Sequence, residues 1–178
     1  YEEIMSMTSE NIEVYGSAPK RVSCTTHARV WHDSTNVDQL EVKMMWSDGR
    51  EAAFRQSDLA AIRRPKFYVQ GTEGTIDGHY QPLDASRLEP GRGYLSGVHH
   101  HAERPVELRL ARYESDWGLI ESNIPPVPHP GWGFHRNLAD HLLLGEPLAV
   151  DPRESRDVVR VLEAAHRSGA AGGVVITL

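Results

Sequence analysis

Residues 39–50 have the sequence QLEVKMMWSDGR, and this stretch decides the fold. Apolar side chains occupy alternate positions, with Leu40, Val42, Met44 and Trp46 on one face and Gln39, Glu41, Lys43 and Met45 on the other. Because successive side chains of a strand point to opposite sides, this alternation predicts a β-strand with one buried face. The Asp48-Gly49 pair supplies the positive φ that a tight hairpin needs, so we expect an antiparallel partner strand from Glu51 to Leu59.

Strand patterns continue on both sides of this hairpin. Residues 20–31 are rich in β-branched and small side chains, which favour a strand. Further along, residues 66–70 and 75–77 flank the turn 71–74, of sequence GTEG, and predict a second hairpin. The remaining predicted strands cover residues 106–112, 118–124 and 173–178. Residues 78–103 are rich in Gly and Pro and are expected to leave the sheet.

Three helices are predicted from apolar residues spaced three and four positions apart. Their apolar faces are formed by Ile4, Thr8, Ile12 and Tyr15, by Phe134, Leu138 and Leu142, and by Val158, Val161, Leu162 and Ala165. Gly16 and Gly145 mark the ends of the first two helices, and Asp151 followed by Pro152 marks the start of the third. Since alternating strands leave one face to be buried, the sequence predicts an α+β fold, with an open, mostly antiparallel β-sheet and helices packed on one face. The opposite face is left for solvent or a partner.

Size and composition indicate a folded domain. The chain has 178 residues, of which 39% are hydrophobic, and a formal net charge of -6. This length suffices for one domain with its own core, and the acidic balance argues against a nucleic-acid partner. Cys24 is the only cysteine, which excludes an intramolecular disulfide and favours a reducing compartment, so a cytoplasmic location is expected. No run approaches the roughly 20 apolar residues of a membrane span, so no membrane partner is expected.

The glycine-containing segment 71–74 is interpreted as a turn and not as a nucleotide-binding loop. It lies between two predicted strands, so no helix N-terminus follows it that could hold a pyrophosphate. Neither Gly-x-Gly-x-x-Gly nor a P-loop occurs elsewhere in the chain. The sequence therefore predicts no cofactor-binding residues in this chain.

Histidines offer an alternative chemistry. The adjacent His99, His100 and His101, with His79, His129 and His135, could form a transition-metal site. Adjacent histidines in a strand point to opposite faces, however, and no cysteine partner or His-x-x-x-His spacing accompanies them. Histidines on surface loops are thus the favoured interpretation, and a metal-dependent enzyme is the weaker alternative. No metal ligand is assigned.

Side chains at the start of the second helix could bind a hydroxylated small molecule. Trp132, His135 and Arg136 can stack on such a ligand and hydrogen-bond to it, and His79 is the fourth candidate. Packing at a helix start with a solvated arginine is the competing interpretation. No catalytic residue is assigned, because the adjacent Asp140 and His141 project about 100° apart on a helix.

Two segments resemble a known family. Residues 67–76, FYVQGTEGTI, are similar to the strand-turn-strand of the C-terminal domains of Gfo/Idh/MocA oxidoreductases, named for glucose-fructose oxidoreductase and inositol dehydrogenase. Residues 134–178 are similar to the closing pattern of these domains, in which two helices separated by Gly145 and Pro147 precede a last strand. The resemblance implies the α+β sheet type shared with dihydrodipicolinate reductase-like domains, in agreement with the periodicity.

This resemblance also implies that substrate binding and cofactor binding belong to different domains. Residues 1–178 are expected to form one C-terminal domain for substrate binding and oligomerisation, while the N-terminal Rossmann domain that binds NAD or NADP is absent from this chain. Tyr1 in place of an initiator Met agrees with a piece of a longer protein. The family's Glu-Lys-Pro motif has no counterpart here. The resemblance also implies a proton-transferring Asp and His pair near the start of this half, but no histidine precedes His27. The isolated chain is therefore expected to be inactive.

The parent protein is expected to be an NAD(P)-dependent oxidoreductase acting on a sugar-like or cyclitol alcohol. Its implied partners are this small molecule, the Rossmann domain, and further copies of the chain that form a homodimer or tetramer through the sheet. A non-catalytic oligomerising or ligand-binding module remains the alternative.

Overall fold

A computed structural model describes residues 15–30, 36–62, 64–79, 107–116, 118–125 and 133–178. The predicted N-terminal helix lies outside these residues, apart from its last position. The chain divides into two compact units, the first formed by Tyr1–Ala61 with Trp132–Leu178 and the second by Ile62–Gly131. This division does not test the prediction that residues 1–178 form one domain, and it stays a prediction.

The described residues form strands and helices in the predicted order. These are β1 Arg21–His27, β2 Gln39–Met45, β3 Glu51–Ser57, β4 Phe67–Gln70, β5 Gly74–His79, β6 Glu107–Glu114, β7 Gly118–Ile124, α1 Gly133–Leu144, α2 Pro152–Ala170 and β8 Ile176–Thr177. The strands form two antiparallel sheets, β3-β2-β1-β8 in the first unit and β4-β5-β6-β7 in the second. The predicted α+β class and antiparallel pairing are confirmed. The division into two sheets was not predicted, because alternation identifies a strand but not its neighbours.

The core of the first unit lies between the first sheet and α2. It contains Val22, Cys24, Val42, Met44, Trp46, Phe54, Val161, Ala164 and Ala165. Full burial of a Val or Met side chain contributes about 1.5–3 kcal/mol, so this contact is the main stabilising feature of the unit. The predicted helical cover of one sheet face is confirmed for α2. The predicted helix start is also confirmed, because the Asp151 carboxylate accepts a hydrogen bond from the Arg153 N–H at 2.8 Å.

The predicted hairpin forms at Asp48-Gly49. Gly49 has a φ of 89°, and a backbone hydrogen bond of 2.9 Å between Trp46 and Arg50 closes the turn. The buried Trp46 ring lies edge-on to Tyr15, with ring centroids 4.3 Å apart. Together these contacts hold the segment before β1 against the hairpin.

The first sheet leaves its second face open to polar side chains. Glu41 on β2 pairs with Arg55 at 2.9 Å and lies 3.7 Å from Lys43. The hydrogen bond from Arg55 lowers the pKa of Glu41, while burial opposes this shift. No aromatic side chain shares this face on β1, β2 or β3.

The second sheet has one mainly apolar and one mainly polar face. The mainly apolar face carries seven large apolar side chains together with three polar ones: Phe67, Val69, Ile76, Leu108, Leu110, Ile120 and Ile124, with Arg112, Glu114 and Ser122. The polar face carries Tyr68, Gln70, Thr75, Asp77, His79, Glu107, Arg109, Tyr113, Glu121 and Asn123, with Ala111 and Leu119. This separation follows from the two-residue period of each strand.

The turn at residues 71–74 joins β4 to β5, as predicted. The Gly71 N–H donates to the Gly74 carbonyl at 2.8 Å and closes the turn. At Gly74 the neighbouring strand β6 passes so close that an added Cβ would lie 2.6 Å from the Ala111 carbonyl oxygen. Glycine is therefore required at this position by the close approach of two backbones.

Helix α1 forms where it was predicted, but its apolar side chains are exposed. Phe134, Leu142 and Leu143 are 67%, 72% and 81% exposed, and no described residue of this helix is buried. The cover of the first sheet is thus provided by α2. No helix in the described part of the chain combines the length and apolar character needed to cross a bilayer.

Candidate functional site

The four predicted substrate-binding residues fall in different parts of the chain. His79 ends β5 in the second unit, whereas His135 and Arg136 lie in the first turn of α1 in the first unit. Trp132 lies outside the described residues. Within the first unit, His135 and Arg136 lie next to each other, whereas His79 belongs to a group of side chains in the second unit.

His79 lies beside an ion pair on the polar face of the second sheet. Asp77 and Arg109 are opposite each other on β5 and β6, and the guanidinium donates two hydrogen bonds to the carboxylate, at 3.1 and 3.0 Å. The His79 Nε2 lies 3.5 Å from Asp77 Oδ2. On the other side, Arg109 Nη1 lies 3.7 Å from Glu121 Oε2 on β7. The group thus links three strands, and we call it the Asp77–Arg109 cluster.

The neighbouring positive charges in this cluster favour the charged form of the Asp77 carboxylate. Hydrogen bonds from Arg109 lower the pKa of Asp77, burial opposes this shift, and the charges of Arg109 and His79 lower the pKa further. The same pairing raises the pKa of the Arg109 guanidinium. A general base works best with a pKa near the working pH, so Asp77 is poorly suited to abstract a proton.

The cluster can instead bind and orient a polar group. Asp77 and Glu121 accept hydrogen bonds, Arg109 donates them, and two exposed tyrosines, Tyr68 and Tyr113, share the same face. Carboxylates, a guanidinium and aromatic rings are side chains that recognise polyhydroxylated ligands or polar protein surfaces. The chemistry on this face therefore favours binding.

His135 and Arg136 form the second group of predicted residues. Both are exposed, and the imidazole of His135 lies edge-on to the Phe134 ring at 5.5 Å, with an angle of 83° between the ring planes. The imidazole and the guanidinium are therefore accessible to a ligand at the start of α1. The ring contact between His135 and Phe134 is the packing at the helix start that the competing interpretation expects.

The loop after α1 is fixed by two side chains of this helix that have no role in the predicted site. Asn137 accepts the Ala149 N–H at 2.8 Å and donates to the Pro147 carbonyl at 3.0 Å. His141 Nδ1 lies 2.6 Å from the Glu146 carbonyl. Because a carbonyl oxygen only accepts, His141 carries a proton on Nδ1. These contacts anchor the loop after the helix.

The metal alternative receives no support from the described residues. No three His, Cys, Asp or Glu side chains among them are arranged to hold a metal ion. His99, His100, His101 and His129 lie outside the described part of the chain, so the sequence-based hypothesis of a histidine site stays untested.

Two positions among the described residues lack the features that hold a dinucleotide phosphate. The segment 71–74 joins two strands, so no helix begins directly after it. At the N-terminus of α2, the amide of Arg153 is already bonded to the Asp151 carboxylate. A carboxylate at this position repels a pyrophosphate, and no strand leads directly into this helix.

Sequence reasoning missed the Asp77–Arg109 cluster. Both strands showed polar residues at alternate positions, Asp77 with His79 and Arg109 with Glu107. What the sequence did not provide was the register between β5 and β6, because 27 residues (80–106) separate the two strands. Without this register, Asp77 and Arg109 cannot be identified as cross-strand partners.

Comparison with known proteins identifies the fold. No family model and no curated protein matches the sequence. Several solved structures match the chain. One is an oxidoreductase from Bacillus cereus, which has a TM-score of 0.75 and 16% identity, and the match covers 100% of this chain and 51% of that chain. An aldose-aldose oxidoreductase from Caulobacter crescentus has a TM-score of 0.68 and 15% identity, covering 98% of this chain and 45% of that chain.

A third structure, an NAD-binding protein from Listeria innocua, has a TM-score of 0.69 and 16% identity, covering 97% of this chain and 45% of that chain. The chain thus spans about half the length of the solved structures that it matches. These likenesses confirm, at the level of the fold, the resemblance to oxidoreductases found in the sequence. The chain has a fold that forms about half of several oxidoreductase chains.

Proposed function

We propose that this chain is the C-terminal, sheet-bearing half of an NAD(P)-dependent oxidoreductase that acts on a sugar-like or cyclitol alcohol. In this proposal the chain forms one wall of the substrate pocket and an oligomer interface. A Rossmann domain in the parent protein binds NAD or NADP and supplies the hydride-transfer site. The isolated chain has no oxidoreductase activity of its own.

The observation that carries this proposal is the match of nearly the whole chain to about half of each oxidoreductase chain. One matched structure is described as an NAD-binding protein, and another as an aldose-aldose oxidoreductase. At the start of α2, the Asp151 carboxylate occupies the Arg153 amide, so this helix N-terminus is poorly suited to a dinucleotide phosphate. In this proposal, cofactor binding belongs to the other half of such a protein.

Calorimetry and thermal unfolding test this division. The isolated chain is titrated with NAD, NADH, NADP and NADPH, and we expect no saturable heat and no change in melting temperature, because a ligand that binds the folded state raises it. Saturable binding to the isolated chain would contradict the proposed division. The longer protein that contains this chain should reduce NAD or NADP when a sugar or cyclitol is added, and failure with every such alcohol would contradict the proposed activity.

For substrate contact we propose His79, Trp132, His135 and Arg136. Their imidazole, indole and guanidinium groups donate hydrogen bonds to hydroxyl oxygens. The test is a magnetic resonance titration of the chain with myo-inositol and glucose. His135→Ala should weaken binding about fivefold, the loss expected for one neutral hydrogen bond, and Arg136→Ala by about tenfold or more, because a hydrogen bond from a charged group contributes about 1.5–3 kcal/mol. His166→Ala on α2 is the control, and an equal effect of this control would contradict the assignment.

A second candidate function is that of an oligomerising module without chemistry of its own. It is favoured by the polar face of the second sheet, where Tyr68 and Tyr113 are 65% and 82% exposed. Exposed tyrosines on a flat surface are typical of protein interfaces. Its first test is the oligomeric state of the chain in solution.

We also propose that the protein functions in the cytoplasm. Its only cysteine, Cys24, is buried in the first sheet, and burial raises the pKa of the thiol. A chain with one cysteine forms no intramolecular disulfide, and this favours a reducing compartment. Fractionation of cells that produce the parent protein tests this location, and recovery in a secreted fraction would contradict it.

A further inference from the structure

We draw no further inference here: the strongest candidate, the apolar face of the second sheet, carries no proposal because nothing in the described part of the chain shows what covers it.

Discussion

At the scale of single residues, Gly74 shows how closely two backbones can approach. An added Cβ would lie 2.6 Å from the Ala111 carbonyl oxygen, and this oxygen belongs to a strand that is paired on both sides. A strand in the middle of a sheet cannot move without disturbing its hydrogen bonds. A side chain added at Gly74 would therefore strain the sheet, because β6 cannot move away to relieve the contact.

We expect Gly74→Ala to lower the free energy of unfolding by about 1–3 kcal/mol, the range for overpacking a close contact. Urea unfolding of the variant measures this loss. The matched control is Gly71→Ala in the same turn, where the added Cβ would be 3.4 Å from the Gly74 carbonyl oxygen. If both variants lose the same stability, the close approach at Gly74 is not the cause.

Arg109 offers a prediction about pH. Its hydrogen bonds lower the pKa of Asp77 below the ordinary aspartate value of about 3.9. A carboxyl group whose pKa is lowered in the folded state stabilises the protein above the pKa of the unfolded state. This contribution is lost as the pH falls through the pKa of the folded state.

We expect Arg109→Met to raise the pKa of Asp77 towards its ordinary value, measured by a magnetic resonance titration of the carboxyl carbon. Arg112→Met is the control, because Arg112 pairs with Glu114 on the other face of the sheet, at 2.6 Å. Either an unchanged Asp77 titration in Arg109→Met or an equal shift in the control would show that Arg109 does not set this pKa.

At the scale of elements, Ser168 joins α2 to strand β1 and to the segment that precedes β8. Its buried hydroxyl accepts the Cys24 N–H at 2.8 Å and donates to the Val174 carbonyl at 2.6 Å. Strand β8 pairs with β1 only at Arg21 and Val22, so it does not reach Cys24. The serine hydroxyl thus satisfies a backbone N–H that a longer strand would have bound.

Ser168→Ala leaves the buried Cys24 N–H without this partner. We expect the free energy of unfolding to fall by about 1–3 kcal/mol, the cost of an unsatisfied buried polar group. Ser155→Ala in the exposed first turn of the same helix should change it by less than about 0.5 kcal/mol. Chemical denaturation measures both variants, and similar losses in the two would argue against the role of the Ser168 hydroxyl.

Sequence reasoning predicted the elements better than their assembly. The alternation around Val42 and the Asp48-Gly49 turn identified β2, β3 and their hairpin, because both signals are local. The stripe through Val161 identified α2 and its buried face. The apolar spacing in α1 predicted a helix but not its exposure, since periodicity shows which side chains share a face and not what lies against it.

The candidate site was harder to predict for the same reason. His79, His135 and Arg136 were selected for their chemistry, and their positions depend on contacts between distant segments. The partner of His79 is Asp77, two residues earlier, which the sequence could have indicated from strand periodicity. The pairing of Asp77 with Arg109 depends on strand register, which no local pattern encodes.

At the scale of the whole molecule, the polar faces of the two sheets differ in composition. The first bears Glu41, Lys43 and Arg55, whereas the second bears Tyr68 and Tyr113 beside the Asp77–Arg109 cluster. Lys and Glu are depleted at interfaces, and Tyr and Arg are enriched. If the chain forms dimers, this composition favours the polar face of the second sheet.

We expect light scattering to give a dimer mass for the wild-type chain and a monomer mass for Tyr113→Asp, because a buried unpaired carboxylate opposes association. Ala53→Asp, which adds the same charge to the open face of the first sheet, should remain a dimer. A monomeric wild-type chain would contradict the oligomer proposal. Dissociation of Ala53→Asp alone would assign the interface to the first sheet.

The first unit is completed only after the second unit has been synthesised. In the sequence, the second unit separates the two segments that form the first, and the hydrogen-bonded Cys24 and Ser168 are 144 residues apart. On the ribosome, β1–β3 emerge long before the helix that buries them, whereas β4–β7 pair only with the next strand along the chain. Contacts between distant segments form late. A nascent chain that stalls before α2 therefore presents the apolar side of β1–β3 to chaperones.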